Sequence, residues 1–126
     1  MNKNIIILSG GFDPVHKGHI RMFKDASKLG KVIVGLNSDK WLERKKNKFF
    51  MPYEERKEII DAIKYIDIIE QFNDDDDTAR DLIQIVYSKY NKEYNFFFIG
   101  EIFALILSLI IAKSGIKPIY QNTTDT

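Results

Sequence analysis

Both histidines of the chain, His16 and His19, fall in one stretch, Gly10-Gly11-Phe12-Asp13-Pro14-Val15-His16-Lys17-Gly18-His19. Those residue types at that spacing have the makings of a phosphate site. Glycines carry no side chain, so backbone N–H groups can come close to an anion. A helix beginning at about Gly18 directs the positive end of its dipole to the same place. Imidazoles three residues apart across that helix start can lie on one side and donate hydrogen bonds to phosphate oxygens. A neutral pocket holds phosphate weakly, so Lys17 and the lysines of a later loop are expected to add charge. A Gly-Gly turn or a single histidine is ordinarily structural. Having both histidines on one glycine-containing helix start is what favours chemistry.

Other chemistries are excluded by what the sequence lacks. There is no cysteine, hence no thiol nucleophile, no disulfide framework and no Cys-ligated zinc. No G-x-G-x-x-G follows the first apolar run, and no G-x-x-x-x-G-K-[ST] occurs, which argues against a nicotinamide oxidoreductase and a P-loop kinase. Lys and Arg number 19 against 18 for Asp and Glu, and a net charge of +1 does not suit coating of nucleic acid or an anionic membrane. The apolar run 5–8 is too short for a signal-peptide core, and 102–112, interrupted by Ser108, is about half of the ~20 residues a membrane-spanning helix needs. The expected location is therefore the cytosol. Asp74-Asp75-Asp76-Asp77 is not expected to hold a metal, because four consecutive carboxylates at a helix start cannot converge on one ion.

The elements that must position these residues follow from periodicity. At 126 residues the chain is expected to be a single domain. Residues 5–8 and 32–36 are continuous, largely β-branched runs and read as buried strands. Ser9-Gly10-Gly11 ends the first, and Asn37-Ser38-Asp39 turns the chain after the second. Ile20, Met22, Phe23 and Ala26 suit a helix over 18–29, stopped by Gly30. A short helix is expected over 40–44, then a basic loop, Lys45-Lys46-Asn47-Lys48. Pro52 starts the next helix, with Glu54 and Glu55 in its first turn and Ile59, Ile60 and Ile63 on its buried face. Strands over 66–69, 95–99 and 117–120 and helices over 78–90 and 102–113 complete the alternation, with Phe96-Phe97-Phe98 in a buried strand. The result is an α/β fold: a Rossmann-like three-layer sandwich with a mostly parallel five-stranded sheet and right-handed crossovers. Ligands of such sheets lie at the carboxyl ends of the strands. Function is thus expected after Leu8, Leu36, Ile69 and Ile99.

Gly11-Phe12-Asp13 with His16-Lys17-Gly18-His19 resembles the (T/G)FDxxHxGH signature of the cytidylyltransferase-like nucleotidyltransferases. Asn37-Ser38-Asp39 is similar to that superfamily's turn after the second strand, Tyr53-Glu54-Glu55-Arg56 to its helix start, and Lys64-Tyr65-Ile66-Asp67 to its RYVD segment, with Lys64 in place of the Arg. The resemblance covers about residues 5–100, and within the superfamily it is nearest the glycerol-3-phosphate cytidylyltransferase and heptose 1-phosphate adenylyltransferase groups.

The resemblance implies transfer of a nucleoside monophosphate from CTP or ATP to a phosphorylated small molecule, with release of pyrophosphate and no covalent enzyme intermediate. It gives His16 and His19 the role of contacting triphosphate oxygens, and gives Gly10, Gly11, Phe12 and Gly18 to nucleotide binding. Asp13 braces the loop or its metal environment, and Lys46, then Lys45, neutralise substrate phosphates. Arg56 either binds phosphate or knits its helix to its neighbours, and Trp41 is either packing or a lid. Mg²⁺ held mainly by the triphosphate is implied as cofactor, and a homodimer is the expected assembly. From about residue 101 the pattern departs from the family. Gly100-Glu101 runs directly into apolar Ile102, and Asn122-Thr123-Thr124 stands where the family carries a Ser/Thr-rich turn. Gly100, Thr123 and Thr124 are accordingly assigned to the nucleotide within an atypical or truncated C-terminal part. Two alternatives follow: a nucleotide-binding module that has lost turnover, and an adenylyltransferase acting on a sugar phosphate.

Overall fold

The computed structural model describes residues 3–90 and 93–100. In chain order they form β1 (Asn4–Gly10), α1 (Lys17–Leu29), β2 (Lys31–Leu36), α2 (Asp39–Lys46), α3 (Tyr53–Asp61), β3 (Ile68–Gln71), α4 (Arg80–Lys89) and β4 (Asn95–Gly100). The four described strands make one parallel sheet in the order β3-β2-β1-β4. The two strands with uninterrupted apolar runs lie at its centre, as burial on both faces requires. Alternation along them divides the core. Ile6, Leu8, Val32, Val34 and Leu36 pack with Met22, Phe23 and Ala26 of α1 and Ile60 of α3. Ile5, Ile7 and Ile33 pack with Leu82 and Val86 of α4. Two helical layers therefore enclose the sheet. The expected fifth strand at 117–120 and the helix at 102–113 lie outside the described residues. No helix among the described residues is long and apolar enough to cross a membrane.

Several expectations are corrected at the edges of elements. Lys45 and Lys46 are not in a loop. They form the last turn of α2, where the helix dipole favours cations, and Asn47 caps it with a left-handed backbone (φ 70°). Ile59 is 41% exposed, because the buried face of α3 runs through Arg56 and Ile60, one helical turn apart. The third strand begins later than expected, at Ile68. Asp67 precedes it, its Oδ2 accepting the Val32 N–H at 2.8 Å. Phe97 is 51% exposed rather than buried, on β4 at the edge of the described sheet.

Three side chains tie the loops at the carboxyl edge together. Asp74 is 2% exposed and accepts from Asn37 Nδ2, the Ser38 N–H and Ser38 Oγ, at 3.0, 2.8 and 2.7 Å. It therefore anchors the turn after β2 instead of starting a helix, and α4 begins only at Arg80. The Asp13 side chain is 1% exposed and accepts from the N–H groups of Phe50 (2.6 Å) and Met51 (2.7 Å) and from Lys46 Nζ (3.0 Å). Burial pushes this carboxyl up, but those three donors outweigh it and hold it below the usual carboxylate range. Arg56, 0% exposed, donates to the carbonyls of Met51, Gly11 and Asn37 and to Asp39 Oδ1, all at 2.7 to 2.9 Å.

Two outcomes follow. A Cβ at Gly30 would run into the backbone carbonyl of Asn4 at the start of β1, where no side chain can swing away. Gly30→Ala should cost about 1–3 kcal/mol in denaturant unfolding, and an unchanged midpoint would contradict the packing. Asp13 is more acidic folded than unfolded, so it contributes stability above the usual carboxylate range and loses it as pH falls through its folded value. Asp13→Asn should be less stable than wild type at neutral pH, on the order of 2 kcal/mol. That gap should close on acidification, and a gap independent of pH would rule the clasp out.

Candidate active site

β1 ends in Ser9-Gly10, Gly11 leaves the strand, and Phe12 then adopts a left-handed backbone (φ 49°), uncommon for a bulky residue. The turn drives its ring into the core, 1% exposed, with its edge against His19 at 5.0 Å between centroids and Phe23 beside it at 5.4 Å. His19 is thereby fixed from below. Gly11 allows α2 to come close, since a Cβ there would sit 2.6 Å from Leu42 Cδ2.

The two imidazoles close a reciprocal cap on α1. His16 Nδ1 accepts the Gly18 N–H at 3.0 Å, and His19 Nδ1 accepts the His16 N–H at 3.1 Å. A neutral imidazole that accepts at Nδ1 carries its proton on Nε2. Both rings therefore hold a defined tautomer, with Nε2–H as the donor. They stack with centroids 3.8 Å apart and planes 27° from parallel, so the two donors act as a pair. This arrangement revises the expected use of the helix start. The Gly18 N–H is spent on His16, and the contribution of α1 to an anion is its dipole together with the imidazoles.

His16 and His19 line a cleft of about 510 Å³ at the carboxyl ends of β1, β2 and β4. Gly10, Gly11, Phe12, Asp13 and Gly100 line it from the strand ends, and Lys45 and Lys46 from α2. Lys46 Nζ donates to the Asp13 carbonyl at 2.8 Å while its side chain stays 44% exposed, so the ammonium is held at the rim by the loop that carries the histidines. Lys45 Nζ lies 5.7 Å from the centre of the Trp41 ring. Trp41 is half-buried and lines the cleft, placing it as wall.

Gly18, Arg56 and Lys17 stand apart from the cleft, and Thr123 and Thr124 lie beyond the described residues. Gly18 is buried and serves the cap instead of the cleft. Arg56 does not line the cleft. With four of its N–H groups spent on the fold, its reading as a phosphate ligand gives way to that of a knot between loops. Lys17 is exposed and does not line the cleft either. Ser9, Asp77, Ala79 and Phe98 also line the cleft without belonging to a motif read as functional, and Asn37 lines it from the Asn37-Ser38-Asp39 turn. The positions of the first four at strand ends, or just before α4, were the sequence signal that could have singled them out.

Comparison with known proteins matches this geometry to a family. The chain matches the family described as cytidylyltransferase-like over residues 7–122. It is 34% identical over 77 residues to the FAD synthase of Archaeoglobus fulgidus, covering 61% of this chain and 56% of that protein. It is 34% identical over 65 residues to the glycerol-3-phosphate cytidylyltransferase of Staphylococcus aureus, covering 51% and 49%. The bifunctional protein HldE of Campylobacter jejuni is 39% identical over 88 residues, covering 68% of this chain and 19% of that protein. The matched region thus spans about half the length, or less, of these relatives. The fold is similar to that of a lipopolysaccharide core biosynthesis protein from Thermoplasma volcanium, with a TM-score of 0.57 at 21% identity, covering 90% of this chain and 89% of that one. The match runs from the middle of β1 across every described element that builds the cleft, and on that ground the chain belongs to the cytidylyltransferase-like family.

Proposed function

We propose that the chain is a nucleotidyltransferase that moves a nucleoside monophosphate from CTP or ATP to a phosphorylated small molecule and releases pyrophosphate. The observation that carries the reading is the pair of stacked, tautomer-fixed imidazoles at the positive end of α1. Two Nε2–H donors held by backbone bonds need no reorganisation as charge grows on a reacting phosphate, which is how preorganised donors lower a barrier. Lys46 and Lys45 stand on the α2 wall of the same cleft, where they meet the negative charge of two phosphorylated substrates. In-line attack by an acceptor phosphate oxygen on the α-phosphorus forms one P–O bond as the bond to pyrophosphate breaks. The protein's part is to align the two and to stabilise the leaving charge.

The described residues offer no cluster of three metal-ligating side chains, and the Asp13 carboxylate is committed to its three donors. A Mg²⁺ ion therefore fits as a passenger on the triphosphate, completed by water, and would supply charge neutralisation there. A second reading, adenylyl transfer, is favoured by the FAD synthase relative, since FAD contains an adenylate. Pyrophosphate release with CTP and with ATP, each offered glycerol 3-phosphate, a sugar 1-phosphate and riboflavin 5′-phosphate, discriminates the donors and acceptors. No release from any pairing, with nucleotide still bound, identifies a binding module instead.

His16→Ala and His19→Ala should each lower turnover by about a hundredfold or more, the effect of one lost transition-state donor. His16→Asn separates cap from chemistry: its Oδ1 can still accept the Gly18 N–H, so melting temperature should hold while turnover falls. Near-wild-type rates in these variants would remove the imidazoles from the mechanism. Lys46→Ala should raise the Michaelis constant of a phosphorylated substrate several-fold, and unchanged constants for both substrates would exclude a phosphate role.

A further inference from the structure

We propose that Ser9 and Asn37 form a subsite, on the α4 side of the cleft, that reads hydroxyl groups of a bound substrate. The inference rests on the nucleotidyltransferase reading and assigns a specificity role to residues that the phosphate machinery does not use. Ser9 is 9% exposed and Asn37 is 6% exposed, and both line the cleft. Among the described residues the Ser9 hydroxyl has no hydrogen-bond partner. Asn37 spends its Nδ2 on Asp74 Oδ2 at 3.0 Å, leaving Oδ1 without one. Buried polar atoms are nearly always paired, because an orphan gives up its hydration with nothing in return. Two such orphans bordering one cleft are a cost the fold bears for a ligand.

Their placement is rigid. Ser9 continues the side of β1 that holds Ile5 and Ile7 against α4, and Asn37 follows Ile33 and Gly35 on β2 in the same alternation. The Asn37 N–H donates to the Gly10 carbonyl at 3.0 Å, which ties the turn after β2 to the end of β1, where Ser9 stands opposite Gly35 and diagonal to Asn37 on the same face. Asp74 fixes the amide so that Oδ1 is the atom left over. Phe98 and Ala79 are apolar neighbours on this side of the cleft. A carbonyl oxygen repels an anion, and two neutral oxygens are too few for a hard cation, which takes six or more. A hydroxyl group suits both: it can donate to Oδ1 and exchange a hydrogen bond with the Ser9 Oγ. The hydroxyls can belong to the nucleotide ribose or to a polyol acceptor.

Isothermal titration with two kinds of paired probe separates these sources. CTP and ATP are compared with their 2′,3′-dideoxy forms, and, with nucleotide present, glycerol 3-phosphate is compared with propyl phosphate. Wild type should bind the dehydroxylated member of one pair about tenfold more weakly, and Ser9→Ala should clearly reduce that difference. A penalty on the nucleotide pair places the ribose in the subsite, and a penalty on the other pair places the acceptor there. Ser9→Ala deletes an unpartnered hydroxyl, so its melting temperature should be unchanged or higher, which keeps the result free of folding defects. If nucleotide binds but neither pair is discriminated, or the penalty is undiminished in Ser9→Ala, the subsite is overturned and the orphans serve only a buried water. If no nucleotide binds at all, the nucleotidyltransferase reading falls, and this inference with it.

Discussion

The guanidinium of Arg56 is the point on which the cleft depends. Three separate segments meet there: the loop after β1 through the Gly11 carbonyl, the turn after β2 through the Asn37 carbonyl and Asp39, and the approach to α3 through the Met51 carbonyl. A fully buried cation is tolerable only when it is paired and its donors are used. Here the acceptors are supplied by the same loops that line or flank the site. The arrangement makes loop geometry a condition of burying α3. Loops are normally the most mobile part of an α/β fold, and this one interaction turns three of them into a frame.

Within that frame the imidazoles are held by backbone N–H groups as well as by packing. The imidazoles cap α1 through Nδ1, and Phe12 supports His19 from the core. Asp13 extends the same logic across the cleft, since its carboxylate gathers the Phe50 and Met51 N–H groups and the Lys46 ammonium. Lys46 is thus not a free surface cation, although its side chain is 44% exposed. Its charge sits where the imidazole-bearing loop puts it. Donors that are positioned before the substrate arrives spend no binding energy on being ordered.

Much of this was legible in the sequence, and the reasons are local. Ile5 to Leu8 and Val32 to Leu36 are continuous apolar runs that only doubly covered strands can bury, so the centre of the sheet and its parallel sense followed. The histidines and glycines placed the site, because their spacing across a strand-to-helix turn is itself the geometry. What escaped was long-range. Nothing near Asp74 says that it will clasp Asn37 and Ser38, 37 and 36 residues away, and a run of aspartates reads locally as a helix start. For Arg56 the sequence leaves phosphate binding and knitting the helix to its neighbours equally open, and only the long-range approach of Asp39 and three carbonyls decides for the second. Lys45 and Lys46 look like loop because propensity fades where a helix ends, and the left-handed cap at Asn47 that extends α2 to Lys46 has no strong signature in an Asn without Gly.

The violations of local rules gather in one place, and their clustering is informative. A bulky aromatic in a left-handed backbone, a buried arginine, a helix capped by histidines and two polar side chains unpartnered among the described residues all lie at the carboxyl edge of the sheet, in the cleft or in the frame behind it. Elsewhere the described core is ordinary apolar packing. Strain and unsatisfied groups persist only where the surroundings over-determine them. The Arg56 knot and the Asp13 and Asp74 clasps are that over-determination. They hold the Gly11 carbonyl next to Phe12 and fix both the carbonyl and the side-chain amide of Asn37. The stability given up at those residues leaves a rigid, partly unsatisfied surface, which a substrate with matching polar groups can complete.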